Sequence, residues 1–250
     1  MRILLTNDDG VMAKGIQVLA KKLQKNHEVI IVAPDMERSA QSHSITLFKP
    51  LVVKKVKLEG ITGKVYSVAG TPADCVRAGM EALAKEPIDL VCSGINIGLN
   101  SGMDILYSGT VSAAIEASIY NVPSIALSAE YVDEQVNFNI AAKHGVEIVE
   151  KVIPEIMGTN IVLNINVPYR EHEVEGIKIC KVGDAIYDYY LVGENGDGER
   201  YIQTNGRRKI EFTKDTDRYF LRKGYVTVTP LHYDLTNFET LEKVRHWIEK

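Results

Sequence analysis

Short apolar runs alternate with segments of helical periodicity over the first two thirds of the chain. Residues 2–5, 27–33 and 88–92 are aliphatic and β-branched runs, which are typical of buried strands. Between them, residues 15–26 carry Ile16, Leu19, Ala20 and Leu23 at the spacing of one helix face. The same reasoning predicts strands at 51–58, 64–69, 122–127 and 161–167, and helices starting at Thr71, at 111–120 and at 138–153, the last ended by Pro154.

Strands that alternate with helices predict an α/β fold, a Rossmann-like, mostly parallel sheet sandwiched by helices. Beyond residue 170 the pattern changes to short β-prone pieces, IKICKV, YIQTN, KIEF and YVTVTPL, which indicate a C-terminal β-rich extension. A final helix with Leu241, Val244, Trp247 and Ile248 on one side follows a capping-box pattern at 236–239. We therefore expect an α/β core at 1–170, a β-hairpin arm used for oligomerisation at 171–228, and a terminal strand and helix at 229–250, all within one overall domain.

Composition narrows the function classes. The 250 residues are 45% hydrophobic and 25% charged, which is ordinary for a soluble globular protein, and the formal net charge is −4. That charge provides no global attraction for nucleic acid or anionic lipid, so neither is an expected partner. Three cysteines match neither a zinc site nor a disulfide framework, and neither a signal peptide nor an apolar stretch of about 20 residues is found, so we expect a cytoplasmic protein.

Polar clusters follow the predicted strands, at the edge of a parallel sheet where ligands bind. Asp8 and Asp9 stand directly after the first strand. Adjacent buried carboxylates repel each other, and a divalent cation is the natural remedy. The nearby candidate ligands are oxygens, which favour Mg²⁺, Mn²⁺ or Ca²⁺ over Zn²⁺. Taken alone, the pair is equally explained as a turn or a helix cap before Gly10.

The stretch YSGTVSAAIEA at 107–117 places small residues before a helix, whose free N–H groups and dipole make an anion site. Ordinary capping by Ser108 or Thr110 is the alternative. Neither G-x-G-x-x-G nor the P-loop pattern occurs, which argues against a dinucleotide-binding protein or an ATPase. Metal ligands beside an anion cradle predict a phosphoryl substrate.

These clusters, in this order, resemble the SurE family (survival protein E) of metal-dependent 5′/3′-nucleotidases. The resemblance is carried by LLTNDDG at 4–10, APDMERSAQSHSIT at 33–46, YSVAGTPADCV at 66–76, SGINIGLNSG at 93–102 and YSGTVSAAIEA at 107–117. NINVP at 164–168 and TPLHYDLT at 229–236 extend it toward the C-terminus. Ala40 departs from the pattern, because many relatives have glycine there.

The resemblance implies one divalent cation per subunit, Mg²⁺ or Mn²⁺, bound by Asp8, Asp9, Ser39 and Asn96. It implies hydrolysis of nucleoside 5′- and 3′-monophosphates to nucleoside and phosphate, and for some members hydrolysis of short polyphosphate. It also implies a cytoplasmic homodimer or homotetramer in which the β-rich extension and tail are exchanged between subunits.

Roles follow for individual residues. Asp8 is the first candidate to position or deprotonate the attacking water, although direct attack by its carboxylate stays open. Ser108, Gly109 and Thr110 are the expected phosphate cradle. His43 is a candidate proton donor to the leaving alkoxide, with simple hydrogen bonding as the alternative. Asn7 and Arg38 are candidates either to contact the phosphate or to support the residues that do. Ser39 and Asn96 are alternatively loop residues, a cap and a turn.

Three other functions compete with a nucleotidase. A receiver-type phosphoacceptor domain would need an Asp at the end of a central strand, where this chain has Ser-Gly-Ile-Asn, and this chain is about twice too long for one. A non-catalytic nucleotide-binding or interaction protein would keep the anion cradle without needing a metal. Hydride transfer lacks its glycine fingerprint.

Overall fold

The computed structural model describes residues 1–208 and 210–249 and has an α/β architecture built on a nine-stranded sheet of order β3-β4-β2-β1-β5-β6-β7-β11-β8. Its strands are β1 Arg2–Thr6, β2 Glu28–Pro34, β3 Val53–Lys55, β4 Val65–Val68, β5 Leu90–Ile97, β6 Ser124–Ala129, β7 Val162–Val167, β8 Ile177–Ile179 and β11 Val226–Leu231. Helices α1 Lys14–Leu23, α2 Pro72–Ala78, α3 Gly109–Ile119, α4 Phe138–Ile156, α5 Asp217–Arg222 and α6 Phe238–Ile248 complete the chain, with a π-helical turn at Gly79–Leu83 and a 3₁₀ turn at Gly102–Leu106.

Strand β1 is the point at which the chain changes direction across the sheet. It pairs in parallel with β2 on one side, Ile3 opposite Val29, and with β5 on the other, Ile3 opposite Leu90. The connections after β1 and β5 therefore leave toward opposite sides and open a crevice between the strand ends. Six neighbouring strands run parallel to one another, in the order β4, β2, β1, β5, β6 and β7.

Alternate residues of the central strands pack against helices on the two faces of the sheet. Ile3 and Leu5 lie in the apolar layer shared with α1 and α4, whereas Leu4 lies in the layer shared with α2 and α3. The four residues that predict the buried face of α1, Ile16, Leu19, Ala20 and Leu23, are all buried. Helices thus sandwich a mostly parallel sheet, and the predicted fold class is confirmed.

Local capping explains where α2 begins. Its N-cap, Thr71, accepts a hydrogen bond from the backbone N–H of Asp74, while the Asp74 carboxylate accepts one from the backbone N–H of Thr71. Pro72 occupies the first turn, where its missing N–H costs nothing. The helix start predicted at Thr71 is therefore confirmed.

Two predicted boundaries are wrong. Strand β5 does not stop at Cys92 but continues to Ile97, because residues from Gly94 onward still pair with β6. Helix α4 does not end at Pro154 but reaches Ile156. A proline inside a helix destabilises that helix by about 3 kcal/mol. The last turn of α4 is nevertheless retained, because Ile156 packs in the core and is only 4% exposed.

The C-terminal part divides between the main sheet and a separate hairpin. Strands β8 and β11 extend the main sheet, and β9 Asp188–Glu194 pairs only with β10 Arg200–Arg207 in a two-stranded antiparallel ribbon, hereafter the arm. Helix α6 forms after Asn237, not Thr236, as its cap, and none of its residues is buried. Of the predicted KIEF strand, Lys209 lies outside the described residues and 210–212 form no strand. Helix α5 was not predicted.

No helix in the described ranges combines the length and the apolar character that crossing a lipid bilayer requires.

Candidate active site

A cleft of about 240 Å³ opens at the carboxyl ends of β1 and β5, where the chain changes direction across the sheet. The position is the one expected for a ligand site in a doubly wound sheet. Polar side chains dominate its walls. The cleft is lined by Asp8, Ser39, Ala40, Asn96, Ile97, Gly98, Leu99, Asn100, Asp104, Tyr107, Ser108 and Arg207.

Asp8 lies at the bottom of the crevice, two residues beyond β1, and its side chain is buried. Its Oδ1 accepts a hydrogen bond of 2.5 Å from the hydroxyl of Thr110, in the first turn of α3. Burial raises the pKa of Asp8, and hydrogen bonds from the side chain and backbone of Thr110 lower the pKa in opposition. The carboxylate is therefore held in one orientation at a desolvation cost.

Asp9 is only partly buried, and its Oδ2 accepts a bond of 3.2 Å from the backbone N–H of Ile97 at the end of β5. Burial, followed by the neighbouring charge of Asp8, raises the pKa of Asp9 to about 7 from its ordinary value of 3.8. At neutral pH the two carboxylates thus cannot both be charged without penalty unless a cation balances them.

Asn96 lies inside β5, not beyond it, because the strand continues through the predicted loop. Its side-chain Nδ2 donates to the carbonyl of Gly98 at 2.8 Å, which leaves the amide oxygen as the group able to bind a ligand. Ser39, in the loop after β2, is exposed and its hydroxyl donates to Glu37 at 2.7 Å. Asp8, Ser39 and Asn96 line the cleft together, and Asp9 borders it through Ile97.

The donor set fits a hard divalent cation. Within 1–208 and 210–249, no group of three or more His, Cys, Asp or Glu side chains is arranged to hold an ion. Two carboxylates, one hydroxyl and one amide oxygen are the available donors, and these suit Mg²⁺ or Mn²⁺ better than a metal that prefers nitrogen or sulfur. Burial raises the pKa of both aspartates, and a cation bound between them would favour their charged forms.

The N-terminus of α3 abuts the carboxylate pair. Ser108 is the N-cap, and its hydroxyl accepts from the backbone N–H of Val111 at 3.1 Å. Gly109 is packed so closely that a Cβ there would stand 3.0 Å from the Cβ of Asp8. Thr110 is fully buried, and both its hydroxyl and its backbone N–H are directed at the Asp8 carboxylate, so its direct contribution to a phosphate cradle stays a prediction.

Asn7 and Arg38 support the loops and do not line the cleft. Asn7 is fully buried and donates through Nδ2 to the carbonyl of Gly10 at 2.9 Å. The backbone N–H of Arg38 donates to the carbonyl of Asp8 at 2.7 Å, while its guanidinium donates to Asp35 at 3.1 Å. Direct substrate contact by either residue stays a prediction.

His43 lines a different cavity, an apolar one bordered by Ile105, Ile115 and Leu231. Its Nε2 lies 2.7 Å from Oε2 of Glu116, whose other oxygen is paired with Arg77 at 3.2 Å. Nothing in this geometry directs the imidazole toward the carboxylate pair. The role of His43 as a proton donor stays a prediction without support from its position.

A buried amide network fixes the segment that follows β5. The backbone carbonyl of Asn100 accepts from the side chains of Asn164 and Asn166, at 2.8 and 3.0 Å, and its backbone N–H donates to Asn166 Oδ1 at 2.8 Å. The NINVP motif of β7 thus serves to hold the cleft wall. This explains two buried asparagines in a central strand, where unpaired polar groups would be costly.

Two residues of the cleft wall were missed by sequence reasoning. Asp104 comes from the 3₁₀ turn before α3, and Arg207 comes from the far end of β10. The available signal was the Asn-Gly pair at 205–206, which marks an irregularity in a strand just before the arginine.

Comparisons with known proteins agree with one another. The profile described as "Survival protein SurE" matches residues 3–189. A protein of Clostridium tetani named 5′-nucleotidase SurE is 50% identical over 248 residues, which is 99% of this chain and 100% of that protein. A Clostridium botulinum protein of the same name is 49% identical over 97% of each chain. The crystal structure of the Aquifex aeolicus SurE protein is similar with a TM-score of 0.87, at 38% identity over 100% of both chains.

Proposed function

Since this chain belongs to the SurE family and is a 5′-nucleotidase, we propose that the cleft at the ends of β1 and β5 is where it hydrolyses nucleoside monophosphates to nucleoside and phosphate. The observation that carries this assignment is the buried Asp8 carboxylate held against the N-terminus of α3 by Thr110. A non-catalytic nucleotide-binding protein is not favoured, because binding alone gives no reason to place a buried and a partly buried carboxylate side by side at that position.

One divalent cation per subunit, Mg²⁺ or Mn²⁺, would be held by Asp8, Asp9, Ser39 and Asn96. When bound, such an ion supplies a Lewis acid that polarises the phosphoryl oxygens and lowers the pKa of a coordinated water. The proposal is supported by the oxygen-only donor set and by the raised pKa values of Asp8 and Asp9.

Individual residues of the chain then have separate roles in the hydrolysis. Asp8, fixed by Thr110, orients the attacking water and accepts its proton at a carboxylate oxygen. The backbone N–H of Gly109, at the positive end of α3, binds the phosphoryl oxygens as charge develops on them, while Thr110 holds Asp8 beside it. Ser108 keeps that helix end in place by capping it, and the Asn100 network keeps the opposite wall in place.

We extend the proposed substrates to nucleoside 3′-monophosphates and short polyphosphate. The groups assigned to binding contact phosphate through backbone amides and a cation, and neither recognises a particular ester position. The exposed ring of Tyr107 at the cleft rim is available for a base to stack on.

We further propose a cytoplasmic homodimer or homotetramer. All three cysteines are free and buried, which fits a reducing compartment. The arm and α6 expose apolar side chains that a partner subunit would cover, among them Tyr189, Leu191, Leu241 and Trp247. The predicted division into a core at 1–170, an extension at 171–228 and a tail at 229–250 belongs to the same proposal, and its second boundary falls inside β11.

The deciding experiment is phosphate release from a panel of nucleoside 5′- and 3′-monophosphates and tripolyphosphate. We expect activity with added Mn²⁺ or Mg²⁺, loss in excess EDTA, and recovery when the ion is restored. Phosphate release that persists unchanged in EDTA after dialysis would contradict the metal assignment, and no release under any ion would contradict the location of catalysis in this cleft.

A further inference from the structure

Arg207 is the one cationic side chain among the described residues that line the cleft. A divalent ion would balance the two aspartates but would leave the dianion of a phosphomonoester to be neutralised by the protein. The N-terminus of α3 supplies only about half a unit of positive charge. A further cation is therefore required by charge balance at this point of the molecule.

The guanidinium is placed there by an irregularity in the arm. The regular pairing of β10 with β9 runs from Arg200 opposite Glu194 to Thr204 opposite Tyr190, and it resumes only at Arg207 opposite Asp188. Between them, Gly206 has φ +78°, and a Cβ at Gly206 would meet nothing within 4 Å. Glycine is needed there for its backbone conformation and not for space, and such bulges redirect the following side chain.

The ion pairs that Arg207 makes within the protein do not fully neutralise its positive charge. The guanidinium is paired with Asp104, but Asp104 is also paired with Arg218 at 3.0 Å, and Arg218 is buried and anchored to the carbonyl of Ser101 at 2.9 Å. Asp104 is therefore shared between two guanidinium groups and cannot neutralise both. The second carboxylate near Arg207, Asp188, lies 3.6 Å from Nε, which is too long for a hydrogen bond.

We propose that Arg207 is a substrate-binding residue, which donates hydrogen bonds to the phosphate of the nucleotide from the cleft wall next to Asp104. The inference rests on the proposed function for the identity of the substrate. A guanidinium is suited to this task because its N–H groups match two phosphate oxygens at once. Asp104 holds the side chain in place until the phosphate arrives. The arm thereby becomes part of the site.

Arg207→Gln tests the proposal, with Arg208→Gln as the matched control. Arg208 is adjacent to Arg207, and its substitution removes the same charge. The Arg208 guanidinium lies over the ring of Tyr189 and does not line the cleft. In the metal-loaded enzyme we expect Arg207→Gln to raise KM for AMP and the inhibition constant of inorganic phosphate by about tenfold to a hundredfold, the loss of a charge-assisted hydrogen bond. The inhibition constant of adenosine should stay unchanged, and Arg207→Lys should fall between wild type and Arg207→Gln.

Two results would overturn the proposal. One is equal KM and equal phosphate inhibition in Arg207→Gln and Arg208→Gln. The other is a fall in kcat and in the thermal midpoint of Arg207→Gln with unchanged phosphate inhibition, which would make Arg207 a support of the arm alone. If the wild type hydrolysed no nucleotide, calorimetric titration of inorganic phosphate into the Mn²⁺-loaded wild type and Arg207→Gln would still decide the matter: weaker binding by the variant supports the proposal, and equal binding refutes it.

Discussion

The hydroxyl of Thr110 donates a hydrogen bond of 2.5 Å to Oδ1 of Asp8 across 102 residues of sequence. The bond joins the turn after the first strand to the first turn of α3, and both groups are buried. An aspartate and a threonine that are each unremarkable in their own motif thus form one unit, and the unit orients the carboxylate on which catalysis is proposed to depend.

Removing the charge of Asp8 is expected to stop turnover without disturbing the fold. In Asp8→Asn the amide oxygen can still accept from Thr110, and the repulsion from Asp9 disappears. We expect kcat for AMP to fall at least about a hundredfold, the scale of a lost acid–base group, with a thermal midpoint equal to or above that of wild type. Asp197→Asn, on the exposed turn of the arm, is the control for net charge. A wild-type rate in Asp8→Asn would remove Asp8 from the mechanism.

Removing the Thr110 hydroxyl tests the same pair from the other side. In Thr110→Val the buried Asp8 oxygen loses a donor, which costs about 1–3 kcal/mol and raises the pKa of Asp8 further. Urea denaturation should detect the lost stability, and the acid limb of kcat/KM against pH should move to higher pH. Thr110→Ser keeps the donor and should restore both. An unchanged pH profile in Thr110→Val would separate Thr110 from Asp8.

The stability of the metal-free protein should depend on pH through Asp9. Because the pKa of Asp9 in the folded chain is about 7, above the ordinary 3.8, the contribution of Asp9 to the free energy of unfolding is fully present below about pH 4 and is lost as pH rises through 7. In EDTA the thermal midpoint should therefore fall between about pH 4 and pH 7 and level off above that range, and Mn²⁺ should reduce that fall. Asp9→Asn should flatten the profile in EDTA. An equally steep fall in that variant would assign the effect to another group.

His43 can be tested through the leaving group. Because its Nε2 lies 2.7 Å from Glu116 and the ring lines another cavity, we expect His43→Gln to change kcat by less than about threefold, far below the effect of a lost general acid. The change should be equal for AMP and for p-nitrophenyl phosphate, whose leaving group needs no proton. A large loss confined to AMP would instead establish His43 as the proton donor.

The bulge in β10 provides a conformational test of the arm. An alanine at position 206 must adopt φ near +78°, at a cost of about 1–2 kcal/mol, although its Cβ has room. Relief of that strain should turn Arg207 away from the cleft, so Gly206→Ala should raise KM for AMP. Asparagine tolerates this conformation better, and Gly206→Asn should stay closer to wild type. Equal KM values in the three proteins would show that the bulge does not direct Arg207.

Local rules predicted most of the fold, and their failures have physical causes. The run 2–5, the face of α1 and the cap at Thr71 are decided by neighbours in sequence, and each is confirmed. The end of β5 could not be foreseen, because Gly94 is required by its neighbour: a Cβ there would stand 2.2 Å from the carbonyl oxygen of Leu127. A glycine-rich polar stretch of this kind is indistinguishable from a loop until the adjacent strand is known.

The site residues that stand at strand ends were predictable from the sequence. The residues that reach the cleft only through the tertiary fold were not. Asp8, Ser39, Asn96 and Ser108 were grouped by their position after predicted strands or before a helix, and they line one cleft. Arg207 was missed because its position depends on the path of a hairpin that begins at Asp188, 21 residues after β7 ends at Val167. The hydrophobic periodicity of the sequence does not predict the direction in which such a hairpin folds back onto the core.

The position of β1 at the middle of the sheet affects how the chain is made. The first strand to leave the ribosome has one neighbour, β2, for a long interval, because the other, β5, pairs Leu90 with Ile3 and is synthesised much later. Parallel pairing over such separations is slow to form. Through that interval most of the side chains that cover Leu4 and Leu5 have not yet been synthesised, so premature release of the chain would yield an aggregation-prone fragment in place of a weakened enzyme.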